Sequence, residues 1–216
     1  LSDQQLVAAA VGDDMLALAW LEEGDLIVSL ARGGSFLQAR RVDRATSASL
    51  VFSTVNRLHL AYERDGLILY QATDQGAHPA EPAFWLQAAN GQNPQIALDG
   101  RNRAHIVYES GCDIWHAEHL YDLYWHTVRL GPGHTPRVVS FYDPPGRPNA
   151  AERGFALSYL DGNTLHLRTY GLTPLLLPGW TTVTQLTLPE LPMGGVALHS
   201  LRSGDGNRLL AASWVS

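Results

Sequence analysis

Apolar and polar residues alternate with a period of two through most of this chain, and the alternation recurs as a unit. Met15 to Trp20 leads through an acidic turn into Asp25 to Ser29, and Leu58 to Tyr62 leads through Gly66 into Leu67 to Tyr70. Ala104 to Tyr108 precedes Asp113 to His116, Phe155 to Tyr159 precedes Thr164 to Arg168, and Leu209 to Trp214 stands near the C-terminal end. Period-2 runs rich in β-branched and aromatic residues, bounded by Gly, Pro, Asn and Asp, predict strands joined as hairpins. No stretch carries the 3.6-residue period of an amphipathic helix.

Each hairpin has an aromatic residue near the end of its first run. These anchors, Trp20, Tyr62, Tyr108, Tyr159 and Trp214, are 42, 46, 51 and 55 residues apart. That spacing matches one four-stranded propeller blade. The sequence therefore predicts an all-β chain, a β-propeller of about five blades, four complete and a fifth partial. Residues 1–216 read as one domain, with blades at 1–45, 46–92, 93–135, 136–192 and 193–216. Calling the strands of a blade A to D, the predicted strands are Gln5 to Val11, Met15 to Leu21, Asp25 to Ala31 and Phe36 to Val42 in the first blade. The second has Ser49 to Val55, Arg57 to Glu63, Gly66 to Ala72 and Ala83 to Ala88. The fifth holds only Gly195 to Leu201 and Arg208 to Val215, so its C and D strands are expected from another chain or domain, with Trp214 buried in that contact, because a bare apolar edge invites association.

The third unit shows the consensus: Asn93-Pro-Gln-Ile-Ala-Leu-Asp99, a turn at 100–102, Ala104-His-Ile-Val-Tyr-Glu109, Asp113-Ile-Trp-His-Ala117, then Trp125. This resembles a repeat of bacterial and archaeal surface-type β-propellers, and more distantly the sialidase-like propeller superfamily. The Asp box of the latter, Ser-x-Asp-x-Gly-x-Thr-Trp, is absent; Ser203-Gly-Asp-Gly-Asn207 has the wrong spacing and no Trp. The resemblance implies an extracellular or cell-surface location.

Composition narrows the partners. With 15 basic against 21 acidic residues and a net charge of −6, the chain lacks the basic footprint of a nucleic-acid binder. No apolar run approaches the roughly 20 residues that cross a bilayer as a helix. Cys112, the only cysteine, excludes an intrachain disulfide and is read as a small buried hydrophobe beside Gly111.

In a meander the A-to-B and C-to-D connections leave from one end of the blade, the B-to-C and D-to-A connections from the other. The B-to-C turns are uniformly short. The long connections, at 73–82, 119–123, 143–154 and 170–180, all leave from the A–B/C–D end. Variable length on one face is where recognition resides, and these segments hold His78, His119, Tyr121, Asp122, Tyr124, Arg147, Arg153, Tyr170 and Trp180, rings and planar donors suited to a sugar or a peptide. The candidate binding residues are His119, Tyr121, Asp122, Tyr124, Arg147, Arg153, Tyr170 and Trp180.

Glu22, Glu63, Glu109 and Asp161 recur after the strand B aromatic. Paired acids serve glycoside hydrolysis, but recurrence in every blade marks them as turn caps. His59 and His105 hold equivalent strand B positions and should be buried against a neighbouring blade. Trp85, Trp125 and Trp180 are read as inter-blade packing. No catalytic residue, metal or cofactor is expected, and phosphate-cradling loops, nucleophile elbows and triads are absent. The expected function is a non-catalytic module that recognises a glycan or a protein through the A–B/C–D end. A sialidase-like or other glycoside hydrolase domain, and an assembly subunit completed by another chain, are the alternatives.

Overall fold

A computed structural model of the chain describes residues 4–12, 14–37, 39–73, 84–99, 101–121, 124–140, 154–172, 178–190, 196–202 and 208–214. Among them every regular element is a strand. The first sheet contains β1 (Gln4–Val11), β2 (Met15–Glu22) and β3 (Asp25–Arg32), with β4 (Ser35–Phe36) and β5 (Arg40–Arg44) both paired to β3. The second is β6 (Ser47–Phe52), β7 (Leu58–Arg64), β8 (Leu67–Ala72) and β9 (Phe84–Asn90). The third is β10 (Gln92–Leu98), β11 (Ala104–Ser110), β12 (Asp113–Tyr121) and β13 (Tyr124–Pro132). The fourth is β14 (His134–Ser140), β15 (Phe155–Asp161), β16 (Thr164–Leu172) and β17 (Pro178–Thr187). β18 (Val196–Arg202) and β19 (Arg208–Trp214) form a two-stranded fifth sheet. All pairings are antiparallel.

The expected fourth strand of the first sheet, Phe36 to Val42, is split into β4 and β5. The expected strand Ser49 to Val55 ends at Phe52, because Ser53 to Asn56 form a turn closed by Ser53 N–H to the Arg57 carbonyl at 2.8 Å. The Trp214 side chain, on which the fifth-blade expectation turns, lies outside the described residues.

The inner strands lie side by side in chain order: β1 by β6, β6 by β10, β10 by β14 and β14 by β18. Each inner strand also packs on the second strand of the preceding sheet. The sheets are thus stacked face to face, and the core is a series of layers between them. Leu26, Val28, Leu50, Leu60 and Tyr62 fill the first layer; Ile68, Tyr70, Ile96, Ile106 and Tyr108 the second; Val107, Ile114, Phe155, Leu157 and Tyr159 the third. Because the second, third and fourth sheets each lie between two others, their second strands are covered on both faces, and Leu58–Tyr62 and Ala104–Glu109 are buried without a break. The outer strand β13 is mostly exposed.

The B-to-C connections are two residues long in all four complete sheets. Glu23-Gly24 and Asp65-Gly66 have positive φ at both positions, the turn whose twist matches that of the flanking strands. Cys112 follows Gly111 (φ +63°) in the corresponding two-residue turn and is exposed, not buried as expected, since so short a turn has no interior to take a side chain.

The carboxylates after the strand B aromatic bind the next sheet. Glu109, itself buried, accepts the Thr135 N–H at 2.8 Å and Asn93 Nδ2 at 3.1 Å. Glu63 accepts the Asn93 N–H at 3.4 Å and Ser47 Oγ at 3.3 Å. Asn93 and Thr135 both have left-handed backbones, φ +52° and +51°, within the repeated motifs Gly91-Gln-Asn-Pro94 and Gly133-His-Thr-Pro136. A Cβ on Gly133 would stand 2.6 Å from Tyr159 Cδ2 and 2.7 Å from the Leu160 carbonyl oxygen, so the strand B aromatic packs there only against glycine.

Glu109→Ala should lower stability by about 2 kcal/mol, because it strands the part-buried Thr135 N–H and the Asn93 amide that the carboxylate binds. Glu63→Ala should cost about half as much or less, its carboxylate being half-buried and its bonds longer. Urea unfolding with an unchanged m-value checks the order. Equal midpoints for the two variants would contradict this account of the carboxylates.

Candidate functional site

The A–B turn of the third sheet is built around one carboxylate. Asp99 Oδ1 accepts the N–H groups of Arg101 at 2.8 Å and Arg103 at 2.9 Å, an arrangement typical of Asp before a tight turn. Its Oδ2 meets Arg103 Nη2 at 2.6 Å and Nε at 2.7 Å, while Arg103 Nη1 lies 2.7 Å from Glu118 Oε1. Glu118 Oε2 accepts the Tyr170 O–H at 3.0 Å, reaching from the third sheet to the fourth. One guanidinium thus bridges two largely buried acids at the A–B/C–D end.

Burial works to raise the Asp99 carboxyl, but His105 and the N–H groups of Arg103 and Arg101 outweigh it and hold Asp99 well below the usual carboxylate range. Burial, and then the charge and hydrogen bond of Glu118, push the Tyr170 phenol up, so Tyr170 remains the donor. Asp99 is therefore an ionised anchor, unsuited to donate a proton near neutrality.

Behind this triad lies a relay of rings. Trp180 Nε1–H donates to His116 Nδ1 at 3.4 Å, and His116 Nε2 lies 3.0 Å from His105 Nδ1. Indole can only donate, so His116 Nδ1 is an acceptor and its proton resides on Nε2. His116 then donates to His105 Nδ1, which leaves the His105 proton on Nε2, 3.6 Å from Asp99 Oδ2. Burial, then the neighbouring His105 and His126, hold His116 well below its usual value. His105 and His116 stack at 5.2 Å, with Phe155, Tyr170 and Trp180 around them.

The junction between the second and third sheets repeats this cluster. His59 Nδ1 lies 2.8 Å from the Tyr70 hydroxyl, and Tyr70 contacts His119 at 5.7 Å and Trp125 at 5.2 Å. His59 and His105 are both buried, and both reach the residue eleven positions later, as their alignment in the repeat requires. Burial, then Arg57 and His119, lower His59 to about 4.

These contacts decide where the candidate binding residues fall. His119 lies in β12, half-buried against Trp125 at 4.9 Å; Tyr170 is buried in β16; Trp180 is half-buried in β17. They were expected in loops, but β12 and β13 leave only two residues between them and β16 extends to Leu172. Paired hairpin ends satisfy backbone groups that free loops would leave to solvent. Tyr124, opposite Tyr121 in the register, is 62% exposed. For Tyr121 only the backbone is described; Asp122, Arg147, Arg153 and His78 lie outside the described residues. The tryptophans are not all equivalent. Trp125 and Trp180 pair with the corresponding residues His119 and Tyr170, whereas Trp85 pairs with Gln71, two positions further from the hairpin end. Sequence reasoning missed the Asp99–Arg103–Glu118 triad; its signal was the departure of Asp99 and Glu118 from Ser53 and Ala72 in the preceding unit.

The chain matches no protein-family model and no curated protein. It is similar to the crystal structure of a protein from Lactobacillus plantarum, with a TM-score of 0.60 and 12% identity over 98% of this chain and 71% of that one. It also matches an endo-arabinase from Bacteroides thetaiotaomicron VPI-5482, with a TM-score of 0.49 and 11% identity over 98% of this chain and 88% of that one. The fold is propeller-like. The likeness to the first, at 12% identity, is one of fold, and the stacked sheets are accordingly blades, with the triad at the junction of blades 3 and 4. Among the described residues no group of His, Cys, Asp and Glu could hold a metal ion, and no helix is long and apolar enough to cross a membrane.

The buried histidines set a pH dependence. Unfolded imidazoles take up protons below about 6.5, whereas folded His59 does so only near 4 and burial holds His116 well below its usual range too. The unfolded chain then binds more protons, so stability should fall as pH drops from about 6.5 towards 4, by roughly 3 kcal/mol from His59 alone. Urea midpoints at pH 7, 6, 5 and 4.5 measure the slope, and a flat profile would show that these rings are not kept neutral.

Proposed function

We propose that the chain is a non-catalytic binding module that recognises a glycan through the A–B/C–D end of its blades. The observation that carries this reading is that the two ends are built differently. At the B–C/D–A end the repeat copies itself: two-residue turns, and carboxylates bound to the next blade. At the opposite end the units diverge, through Asp99, Glu118 and His116, with Tyr124 exposed beside half-buried Trp125 and His119. Flat rings next to a fixed array of planar donors and acceptors suit the apolar faces and hydroxyls of a sugar. The ionised, Arg-bound state of Asp99 disfavours it as the acid of a glycosidase.

A glycan array probed with the intact chain tests the reading, alongside an assay for released reducing sugar. Binding without release is expected, and Tyr124→Ala should weaken it about ten-fold by removing one stacking face. Sugar release that survives purification would establish the hydrolase alternative instead. A blank array with capture of a protein ligand at the same end would replace the glycan with a protein partner.

A further inference from the structure

The third strand of blade 4 departs from the repeat at two neighbouring positions. Opposite the strand B aromatic the first three blades carry Ile27, Leu69 and Trp115, and blade 4 carries His166. Opposite the residue two positions earlier they carry Ser29, Gln71 and Ala117, and blade 4 carries Arg168. Both side chains meet the aromatic of their own blade. His166 stacks on Tyr159 with ring centroids 4.7 Å apart and planes 1° off parallel, and the Arg168 guanidinium carbon lies 5.5 Å from the same ring centre. Arg168 Nη1–H donates to the Leu130 carbonyl of blade 3 at 3.1 Å, so the pair lies on the face of β16 that meets the preceding blade. Burial, and then the charge of Arg168, lower His166 below its usual value, with Asp161 opposing them. His166 is therefore neutral near pH 7, and Arg168 carries the charge of the pair.

We propose that Arg168 binds the carboxylate of an acidic sugar, a uronate unit with one charge on a hydroxyl-rich frame, at the outer side of the blade 3/4 junction. With Nη1 committed to Leu130, the Nε/Nη2 edge of the guanidinium remains, the same edge with which Arg103 holds Asp99. Nε is a buried donor without a partner, and His166 Nδ1, two residues away on the same face, is a second buried polar atom without one. Buried polar groups in folded proteins are nearly always satisfied. Among the described residues no carboxylate comes within ion-pairing distance of Arg168. A planar carboxylate offers two oxygens at the spacing of that edge, a match that an ammonium does not reproduce. Arg168 is half-buried, and Thr182 and Gln185, which face Arg168 and His166 on the last strand, are exposed, so the guanidinium is reached from outside. Their hydroxyl and amide suit the hydroxyls of a sugar ring. A net charge of −6 disfavours a polyanion or an acidic peptide, whereas a ligand with one carboxylate meets little repulsion. The site rests on the glycan reading above for its ligand class and adds a charged contact on the outer face of the blades.

Calorimetric titration of the intact chain with a disaccharide ending in glucuronate, and with its neutral counterpart ending in glucose, tests the proposal. The uronate should bind about ten-fold more tightly, and added salt should shrink the difference. Arg168→Lys keeps the charge and removes the Nε/Nη2 edge, so it should bring the two affinities within about three-fold of one another. Thr182→Glu, opposite Arg168 in the register, supplies the acid from within the chain. It should abolish the preference while the melting temperature holds or rises, a result that a misfolded variant would not give. Equal affinities for the two disaccharides in the unmodified chain would overturn the site, as would a preference that survives both substitutions, or poly-glutamate binding as tightly as the uronate. If neither disaccharide binds while other glycans score on the array, this site falls and the glycan reading stands; if the array is blank as well, both fall.

Discussion

The structure depends on how a blade is tied to the one that follows it. Strands within a blade are held by ladders of backbone bonds, but the ties between successive blades run from side chains, and layers of leucine and isoleucine have no preferred register. Registration comes from the buried carboxylate of Glu109, which grips the N–H of Thr135 at 2.8 Å on the next inner strand. Thr135 is β-branched and left-handed, a conformation that costs on the order of 1–2 kcal/mol and persists only when its surroundings impose it. The Glu109 carboxylate does so, by accepting the Thr135 N–H. The bulges between Gln92 and Gln95 and between His134 and Arg137 are the same device seen in the pairing.

A second tie operates at the opposite end, with different chemistry. Asn56 Nδ2 reaches back to Asp14 of the preceding blade at 3.0 Å, and the Asn102 side chain exchanges hydrogen bonds with Thr54 at 2.9 and 3.2 Å. Both asparagines are left-handed, a backbone that Asn tolerates better than most residues. The A–B turns are thereby fixed relative to one another. Groups mounted on them, Arg57 and Arg103 above all, inherit that rigidity, which is what a recognition surface needs from its scaffold.

Much of this was legible in the sequence because the repeat reports its own geometry. Anchors 42 to 55 residues apart gave the blades, and the recurrence of Glu63 and Glu109 marked them as structural, though as turn caps rather than the ties to the next blade that they form. Three features were not legible. Strand ends at Phe52 and Leu172 depend on turn hydrogen bonds and hairpin pairing that alternation does not encode. Cys112 looked apolar enough to bury, yet a two-residue turn has no inside. The Asp99–Arg103–Glu118 triad joins residues of two strands, and only the register that sets His105 opposite Glu118 brings them together.

A periodic scaffold hides function in its regularities and reveals it in its departures. His119 and Tyr170 looked like ligand contacts because rings near loop ends are common in binding sites, yet both belong to the junction that every blade must make. Asp99 and Glu118 looked unremarkable singly, but each breaks the pattern of the preceding unit, and they do so together. Introducing two acids beside a buried histidine cluster would be destabilising without Arg103 between them, since an uncompensated buried charge is far costlier than a pair. The converse holds one blade earlier. There Arg57 and His59 keep their places while Ser53 and Ala72 stand at the positions of Asp99 and Glu118, so the turn is held by a serine hydroxyl in place of a carboxylate. Two junctions of one design thus place different chemistry on the same backbone, two acids around a guanidinium in one and the His59–Tyr70 hydrogen bond opposite Ala72 in the other.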